Sequence, residues 1–312
     1  MARKRKGRPI HGWLVLDKPL GLTSTQALAK ARRLFNAEKA GHGGTLDPLA
    51  SGVLPIAFGE ATKTVSFAMD GTKVYRFTVA WGEQRTTDDA EGEVVARSDA
   101  RPTREAILAR LPAFEGFIQQ IPPQFSALKV DGERAYDIAR EGGFVDLEPR
   151  TVRIDRFELI DMPDADHATF DVTCGKGTYV RALARDLAEA LGSVGHVSAL
   201  RRLSVGRFTL DKAISLDELA AMDDNAALQD LLSPLATALD DIPALALTEA
   251  EAHRMRHGQS ILLVTRQDRA RLKGLGDGDA AGDMVFASLG ETPVALARID
   301  GAEVKPVRVL NV

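Results

Sequence analysis

Gly41-His42-Gly43-Gly44-Thr45-Leu46-Asp47-Pro48-Leu49-Ala50-Ser51-Gly52 is the stretch on which the reading of this chain turns. Four glycines in twelve residues make a loop rather than the interior of a helix or strand. Asp47 is the only carboxylate in it. Pro48 fixes its own φ and pushes Asp47 towards extended backbone, while Leu46, Leu49, Val53 and Leu54 would seat the loop on a core. A carboxylate held in a restricted pose can act as a nucleophile or a base. The competing reading is an Asp-Pro that merely starts a turn.

On the N-terminal side, residues 1–10 form a basic tail with little to bury, expected to be disordered. Trp13-Leu-Val-Leu16 is a short apolar strand, Asp17 to Ser24 a turn, and Ser24 or Thr25 caps a helix running to about Asn36. Leu28, Ala31, Leu34 and Phe35 form its inner face, and Lys30, Arg32 and Arg33 its outer one. On the other side, Leu54 to Lys63 is expected to run into a helix. Lys73–Trp81 alternates, with Tyr75, Phe77, Val79 and Trp81 facing one way, as in a half-buried strand. Asp89 lies in the turn Thr86–Gly92, and Pro102-Thr103 opens an amphipathic helix to Phe114. From Gln119 the pattern breaks at two prolines and a turn, followed by a helix to Arg140.

Strands are predicted over Val152–Leu159 and Ala168–Cys174, then a glycine turn and a helix from about Thr178 to Leu191. Gly175-Lys176-Gly177-Thr178 is not a phosphate loop, because Gly177 stands where Ser or Thr must follow the lysine. Arg181 falls in the first turn of the helix, an electrostatically poor place for a cation, so a local anion is expected beside it. His196 to Phe208 reads as a turn and then a strand, and Ser215–Glu218 as a capping box. After a linker at Asp240–Pro243, a helix over Thr248–His257 precedes four short strands: Ser260–Val264, Met284–Leu289, Val294–Ile299 and Val304–Leu310.

The Asp47 stretch closely resembles the signature of the TruB family, the bacterial tRNA pseudouridine-55 synthases. One position departs: Gly43 stands where that family usually has a larger residue, often Thr. Asp17-Lys18-Pro19-x-Gly21, the turn around Asp89, Lys176-Gly-x-Tyr179-Val-Arg181 and Leu200-Arg-Arg-Leu203 match the family too. The match is specific over roughly residues 11–210 and loose beyond.

The resemblance implies an α+β pseudouridine-synthase fold: a mixed, largely antiparallel sheet with flanking helices over 11–243. An RNA-gripping insertion at about 120–150 and a small β-rich PUA-like domain at 244–312 complete it. It implies isomerisation of uridine 55 in the T-loop of tRNA, with the target base flipped out and no cofactor. Asp47 would be the nucleophile, Arg181 would hold it ionised and aimed, and Tyr179 would sit under the base and could move a proton. Tyr75 would stack on the base, His42 would wedge into the vacated space, and Leu200 would pack in the uridine pocket. Lys18 would buttress the loop, with Asp89 a further polar candidate. Lys129, Arg134 and Arg140 would contact phosphate, with Arg201 and Arg202 as further backbone contacts.

Composition sets bounds. The 312 residues carry a formal net charge of −4, so bulk charge does not announce a nucleic-acid partner. Its distribution does: residues 1–50 hold ten Lys/Arg against three acids, and residues 211–250 nine acids against one lysine. The one cysteine, Cys174, excludes an intrachain disulfide, and its strand setting suggests an inert buried thiol. No apolar run reaches membrane-spanning length, and the basic N-terminus lacks an apolar h-region, so the cytoplasm is the expected compartment; a monomer is expected. The expected partner is the tRNA T-arm, with no guide RNA and no membrane. His253 and His257 are four apart on a helix with no third ligand nearby, so no metal site is expected. Two other functions stay open: a non-catalytic tRNA-binding or folding protein, and a glycoside hydrolase, which needs a second carboxylate flanking the bond. The Asp47 motif contains none, although a distant one would serve.

Overall fold

The computed structural model describes residues 7–126, 128–130, 133–134, 136, 138, 143, 145–222, 225–272, 275 and 284–312. Strands β1 (Gly12–Lys18), β2 (Ala40–His42), β3 (Ala50–Phe58) and β4 (Lys73–Trp81) begin the main sheet. A hairpin follows, β5 (Glu83–Arg85) and β6 (Val94–Arg97), then β7 (Gly116–Gln120) and a second hairpin, β8 (Lys129–Val130) and β9 (Glu133–Arg134). The main sheet continues with β10 (Arg150–Asp161), β11 (His167–Cys174), β12 (Gly195–Val205), β13 (Phe208–Thr209) and β14 (Ile214–Ser215). Its order is β14-β1-β3-β12-β4-β11-β10-β7, with β2 added to β3 and β13 to β12. The β1–β14 and β3–β12 pairs are parallel, and the rest are antiparallel. This is the mixed, largely antiparallel sheet the resemblance implies.

The two halves of the sheet differ in what covers them, which explains how each reads in sequence. In β1 and β3 successive residues go to opposite cores. Leu14, Leu16, Leu54, Ile56 and Phe58 pack with Ala27 and Ala31 of the helix Ser24–Leu34 and with Phe35, which caps it. Trp13, Val15, Val53 and Ala57 pack on the other face with Ala61, Ala68, Leu235 and Leu239. Strands buried on both faces are nearly continuous apolar runs. Leu54–Phe58 is such a run and belongs to β3; a 3-10 turn at Gly59–Thr64 and the helix Val65–Asp70 follow it, so the stretch runs into a helix as expected, with a strand before it that the sequence did not mark.

In β4, β11 and β10 only one face is covered. Phe77, Val79, Trp81, Phe157, Phe170 and Val172 meet Leu183 and Leu187 of the helix Val180–Ala190, together with Ile107. The other face is polar: Thr78 and Thr169 pair their hydroxyls at 3.0 Å, and Arg76 makes a bidentate pair with Asp171. The alternation expected for Lys73–Trp81 therefore holds, with Tyr75 packed against the inner core. Cys174 is fully buried there, and desolvation pushes its thiol up to about 11.

A second sheet, ordered β15-β17-β18-β19-β16, follows the linker: β15 (Ala244–Ala246), β16 (Ile261–Leu262), β17 (Met284–Leu289), β18 (Thr292–Asp300) and β19 (Glu303–Val309). The four anticipated strands are present, with β15 added at the edge. One core lies between this sheet and the helix Glu249–Arg256. Leu296 and Leu310 instead join the Trp13 core, while Lys63 Nζ donates to the Val309 carbonyl at 2.7 Å and the Asn311 amide to Glu60 Oε2 at 2.7 Å. The small sheet, which is consistent with a PUA-like domain, is thus fastened to the large one.

Three further details differ from expectation. Thr23, not Ser24 or Thr25, caps the first helix in a full capping box with Gln26. Gly195 to Val205 is strand throughout, so His196 does not sit in a turn. Of the expected tail, residues 7–10 belong to the fold: Arg8 bridges to Ala37, and Ile10 is buried. Residues 1–6 and Arg140 lie outside the described residues.

Candidate active site

The backbone of the Asp47 loop is held at several points along its length. The Gly43 amide donates to the Pro55 carbonyl at 2.8 Å, extending the β2–β3 pairing. Arg202, on β12 and 1% exposed, donates from Nη2 to the Gly44 carbonyl at 3.2 Å, from Nη1 to that of Thr45 at 3.3 Å, and from Nε to that of Val53 at 2.7 Å. Ser24 Oγ accepts from the Leu46 amide at 2.7 Å and donates to its carbonyl at 2.9 Å. The Asp47 carbonyl accepts from Ala50, and that of Pro48 from Gly21. Gly52, at φ 101°, is required twice over: a Cβ there would lie 2.2 Å from the Arg202 carbonyl oxygen. At Gly43 a Cβ would already press on Ala68 and Pro55 at 3.2 and 3.3 Å, so the small residue matches its close neighbours.

This corrects the expectation for Arg202. Arg202 is an internal clamp on the loop, not a surface cation. Arg201 is engaged by Asp17, Nη2 to Oδ2 at 2.6 Å, and by Ser51 Oγ at 3.2 Å.

Arg181 has the anion its helix position demands. Its Nε is 3.1 Å from Asp47 Oδ2, and its Nη1 is 3.6 Å from Asp89 Oδ2. Nη1 also donates to the Thr87 carbonyl at 2.9 Å, and Nη2 to the Phe125 carbonyl at 3.0 Å. The guanidinium is thereby fixed from several sides in a site from which water is largely excluded. Its side chain is 8% exposed, whereas that of Asp47 is 42% exposed, so the carboxylate keeps an open flank. Asp47, Asp89, Arg181, Val197, Ala199 and Leu200 line one recess. Leu200 reaches it because β12 runs parallel to β3, with Leu200 in register with Ala50.

The other anticipated residues surround this centre. Tyr75 on β4 is the cross-strand partner of Arg202; burial raises its phenol, and a hydrogen bond with Arg202 partly offsets this. Tyr179 stands at the N-terminus of the helix carrying Arg181, and desolvation likewise raises its phenol. Both hydroxyls feel Asp47 and stay protonated at neutral pH. Lys18 is fully buried and donates to the Leu22 and Pro19 carbonyls at 2.7 and 2.9 Å. Desolvation brings its ammonium down to about 8, against the pull of Asp47. His42 ends β2; burial and then Arg202 lower its pKa, favouring the neutral ring. Lys129 pairs with Arg134 across the β8–β9 hairpin, but their side chains lie outside the described residues.

Asp89 is a second carboxylate near Asp47, as a glycoside hydrolase would need. It is buried, however, accepts from Thr87 Oγ1 and the Glu91 amide, and faces Asp47 through Arg181 rather than across an open gap. Among the described residues no group of three or more His, Cys, Asp or Glu is arranged to hold a metal, and no helix is long and apolar enough to cross a membrane. Sequence reasoning missed Arg202 and Ser24 as loop clamps. It also missed Gln120, 1% exposed, which holds the Tyr179 amide at 2.8 Å and carbonyl at 3.1 Å.

The family model for the N-terminal domain of TruB family pseudouridylate synthases matches residues 32–180, and that for the tRNA pseudouridylate synthase B C-terminal domain matches residues 181–240. The chain is 56% identical over 313 residues to a tRNA pseudouridine synthase B of Bradyrhizobium diazoefficiens, covering 99% of this chain and 88% of the relative. It is 56% identical over 310 residues to that of Gluconacetobacter diazotrophicus, covering 99% and 100%. In fold it resembles a chain of the archaeal box H/ACA sRNP Nop10-Cbf5 complex, with a TM-score of 0.72 at 24% identity over 100% of this chain and 93% of that one. Sequence likeness of this extent, running through the Asp47 loop and the Arg181 helix alike, shows that the chain belongs to the TruB family of pseudouridine synthases.

Proposed function

We propose that the protein isomerises uridine 55 in the T-loop of tRNA to pseudouridine, with Asp47 as the nucleophile. The relatives' shared name, tRNA pseudouridine synthase B, makes it a tRNA-modifying isomerase. The observation that carries the residue assignment is the Arg181–Asp47 pair, a buried cation facing a carboxylate with one open flank.

The reaction breaks the bond from ribose C1′ to uracil N1, turns the base, and joins C1′ to C5. The C5 proton leaves and N1 gains one, so no group donor enters the balance. Arg181 places a fixed positive charge beside Asp47 and sets its direction, and a preorganised charge costs no reorganisation as the bond breaks. The base must leave its stack to reach the recess. Tyr75 offers the stacking face, Leu200 the apolar wall, and His42, as a neutral ring, the wedge. Tyr179, with its phenol protonated, can give that proton to N1 and, as the phenolate so formed, take the one that leaves C5. Asp89 orients Arg181, and Lys18 backs the loop. The T-arm is held by shape and phosphate contacts, through Lys129 on the insertion and through the second sheet as a PUA-like module, with base contacts confined to the loop. The enzyme works as a cytoplasmic monomer without a guide RNA.

The test incubates wild type and Asp47→Asn with an unmodified T-arm transcript and maps pseudouridine by chemical adduct and primer extension. Product at the T-loop uridine with wild type alone is expected. Tight binding without product from either protein would instead favour a tRNA-binding or folding role.

A further inference from the structure

The helix Val180–Ala190 carries a second arginine one turn beyond Arg181. Arg185 Nη1 lies 2.8 Å from Asp88 Oδ2, and its Nη2 donates to the Ile121 carbonyl at 2.8 Å. Its Nε donates to the neighbouring Asp186 at 2.9 Å. Arg181 makes the same kind of bridge one level up, from Thr87 and Asp89 to the Phe125 carbonyl. Two guanidiniums on successive turns thus brace the turn 86–92 against the segment 121–125.

Asp88 is built into this brace. It is 6% exposed and sits at φ 58°, a left-handed conformation unusual for a residue other than glycine. Its amide donates to the Arg85 carbonyl, and its carbonyl accepts from Val197 on β12, both at 3.0 Å. Burial raises its carboxyl to about 6, against the attraction of Arg185. A buried pair with such a desolvation cost is weak evidence for stability, and fixing a geometry is the use that accounts for it here. The residues on either side of Asp88 are Thr87 and Asp89, whose carbonyl and carboxylate aim Arg181 at Asp47.

We propose that Asp88 and Arg185 are positioning residues: their ion pair sets the Thr87–Asp89 turn, which sets Arg181, which sets Asp47. This rests on the reading of Asp47 and Arg181 given above. Neither Asp88 nor Arg185 lines the recess, so both act through Arg181.

The test uses full-length protein and an unmodified tRNA transcript, measuring the single-turnover rate constant and the Kd separately. Asp88→Asn suits the left-handed backbone and removes the charge; Arg185→Gln removes the other partner, and Arg185→Lys restores charge alone. Asp88→Asn and Arg185→Gln should each slow the chemical step about tenfold with Kd held within about twofold, and Arg185→Lys should recover part of the rate. In an Arg181→Met background, Asp88→Asn should add no further loss, because the path it acts through is gone. A wild-type rate for Asp88→Asn and Arg185→Gln, or the same fold-loss with and without Arg181, overturns the proposal. Thermal unfolding separates a lost fold from a lost position, and if one variant unfolds the other decides. An Asp47→Asn enzyme that still turns over would sink the underlying reading instead, a separate result in the same assay.

Discussion

The Ser24 hydroxyl holds both backbone groups of Leu46, accepting from the amide at 2.7 Å and donating to the carbonyl at 2.9 Å, across 22 residues of chain. Ser24 and Leu46 are both buried, so no solvent replaces those bonds. Ser24→Ala leaves a donor and an acceptor orphaned one residue before Asp47. Urea unfolding should show a loss of about 2 kcal/mol, and pseudouridine formation should slow as the carboxylate loses its pose. Unchanged stability would mean the loop is held elsewhere.

Arg181 spreads its planar fork over Asp47, Asp89 and the carbonyls of Thr87 and Phe125. An ammonium can match the charge but not that arrangement. Arg181→Lys and Arg181→Met should therefore both lower the single-turnover rate about a hundredfold, while tRNA affinity from filter binding stays within about twofold. A rate close to wild type for Arg181→Met would remove Arg181 from the site.

These residues also show what a sequence discloses. The Asp47 loop was legible because its glycines, Asp-Pro and apolar flanks are contiguous. Arg181 was legible because a cation in the first turn of a helix is anomalous without an anion. Tyr75 was legible because β4 has one covered face and alternates. Leu54–Phe58 was not legible as a strand because β3 is buried on both faces and shows no period. Arg202 misled because a charge in a sequence carries no sign of burial, and its contacts, on the Asp47 loop and β3, lie 149 to 158 residues away. Ser24 misled for a related reason: it stands beside the true cap, Thr23, and its hydroxyl serves a distant loop.

Lys18 makes stability depend on pH in a definite direction. Its ammonium titrates near 8 in the fold, below the ordinary 10.5, because it is desolvated. Between those values the unfolded chain binds the proton and the folded one does not, so unfolding free energy rises with pH through that window. The cost of burying the charge is present in full below about 8 and fades above it. Lys18→Met removes this contribution. The difference in stability, wild type minus variant, should become more favourable to wild type from pH 7.5 to pH 10 in denaturant titrations. A flat difference would show that Lys18 titrates at its ordinary value.

Lys129 and Arg134 occupy directly paired positions of the β8–β9 hairpin. Two cations in register on one hairpin make it a candidate for phosphate contact. A phosphate of the T-arm is the anion this reading supplies. Lys129→Glu should weaken binding to every tRNA alike and reduce the slope of log K against log salt by about one or more. At saturating enzyme the rate of pseudouridine formation should stay near wild type, because the hairpin grips and does not react. Titrations at several salt concentrations read both quantities. A lowered affinity with an unaltered slope would mean that the substitution acts on the fold of the insertion, and that the phosphate contact lies elsewhere.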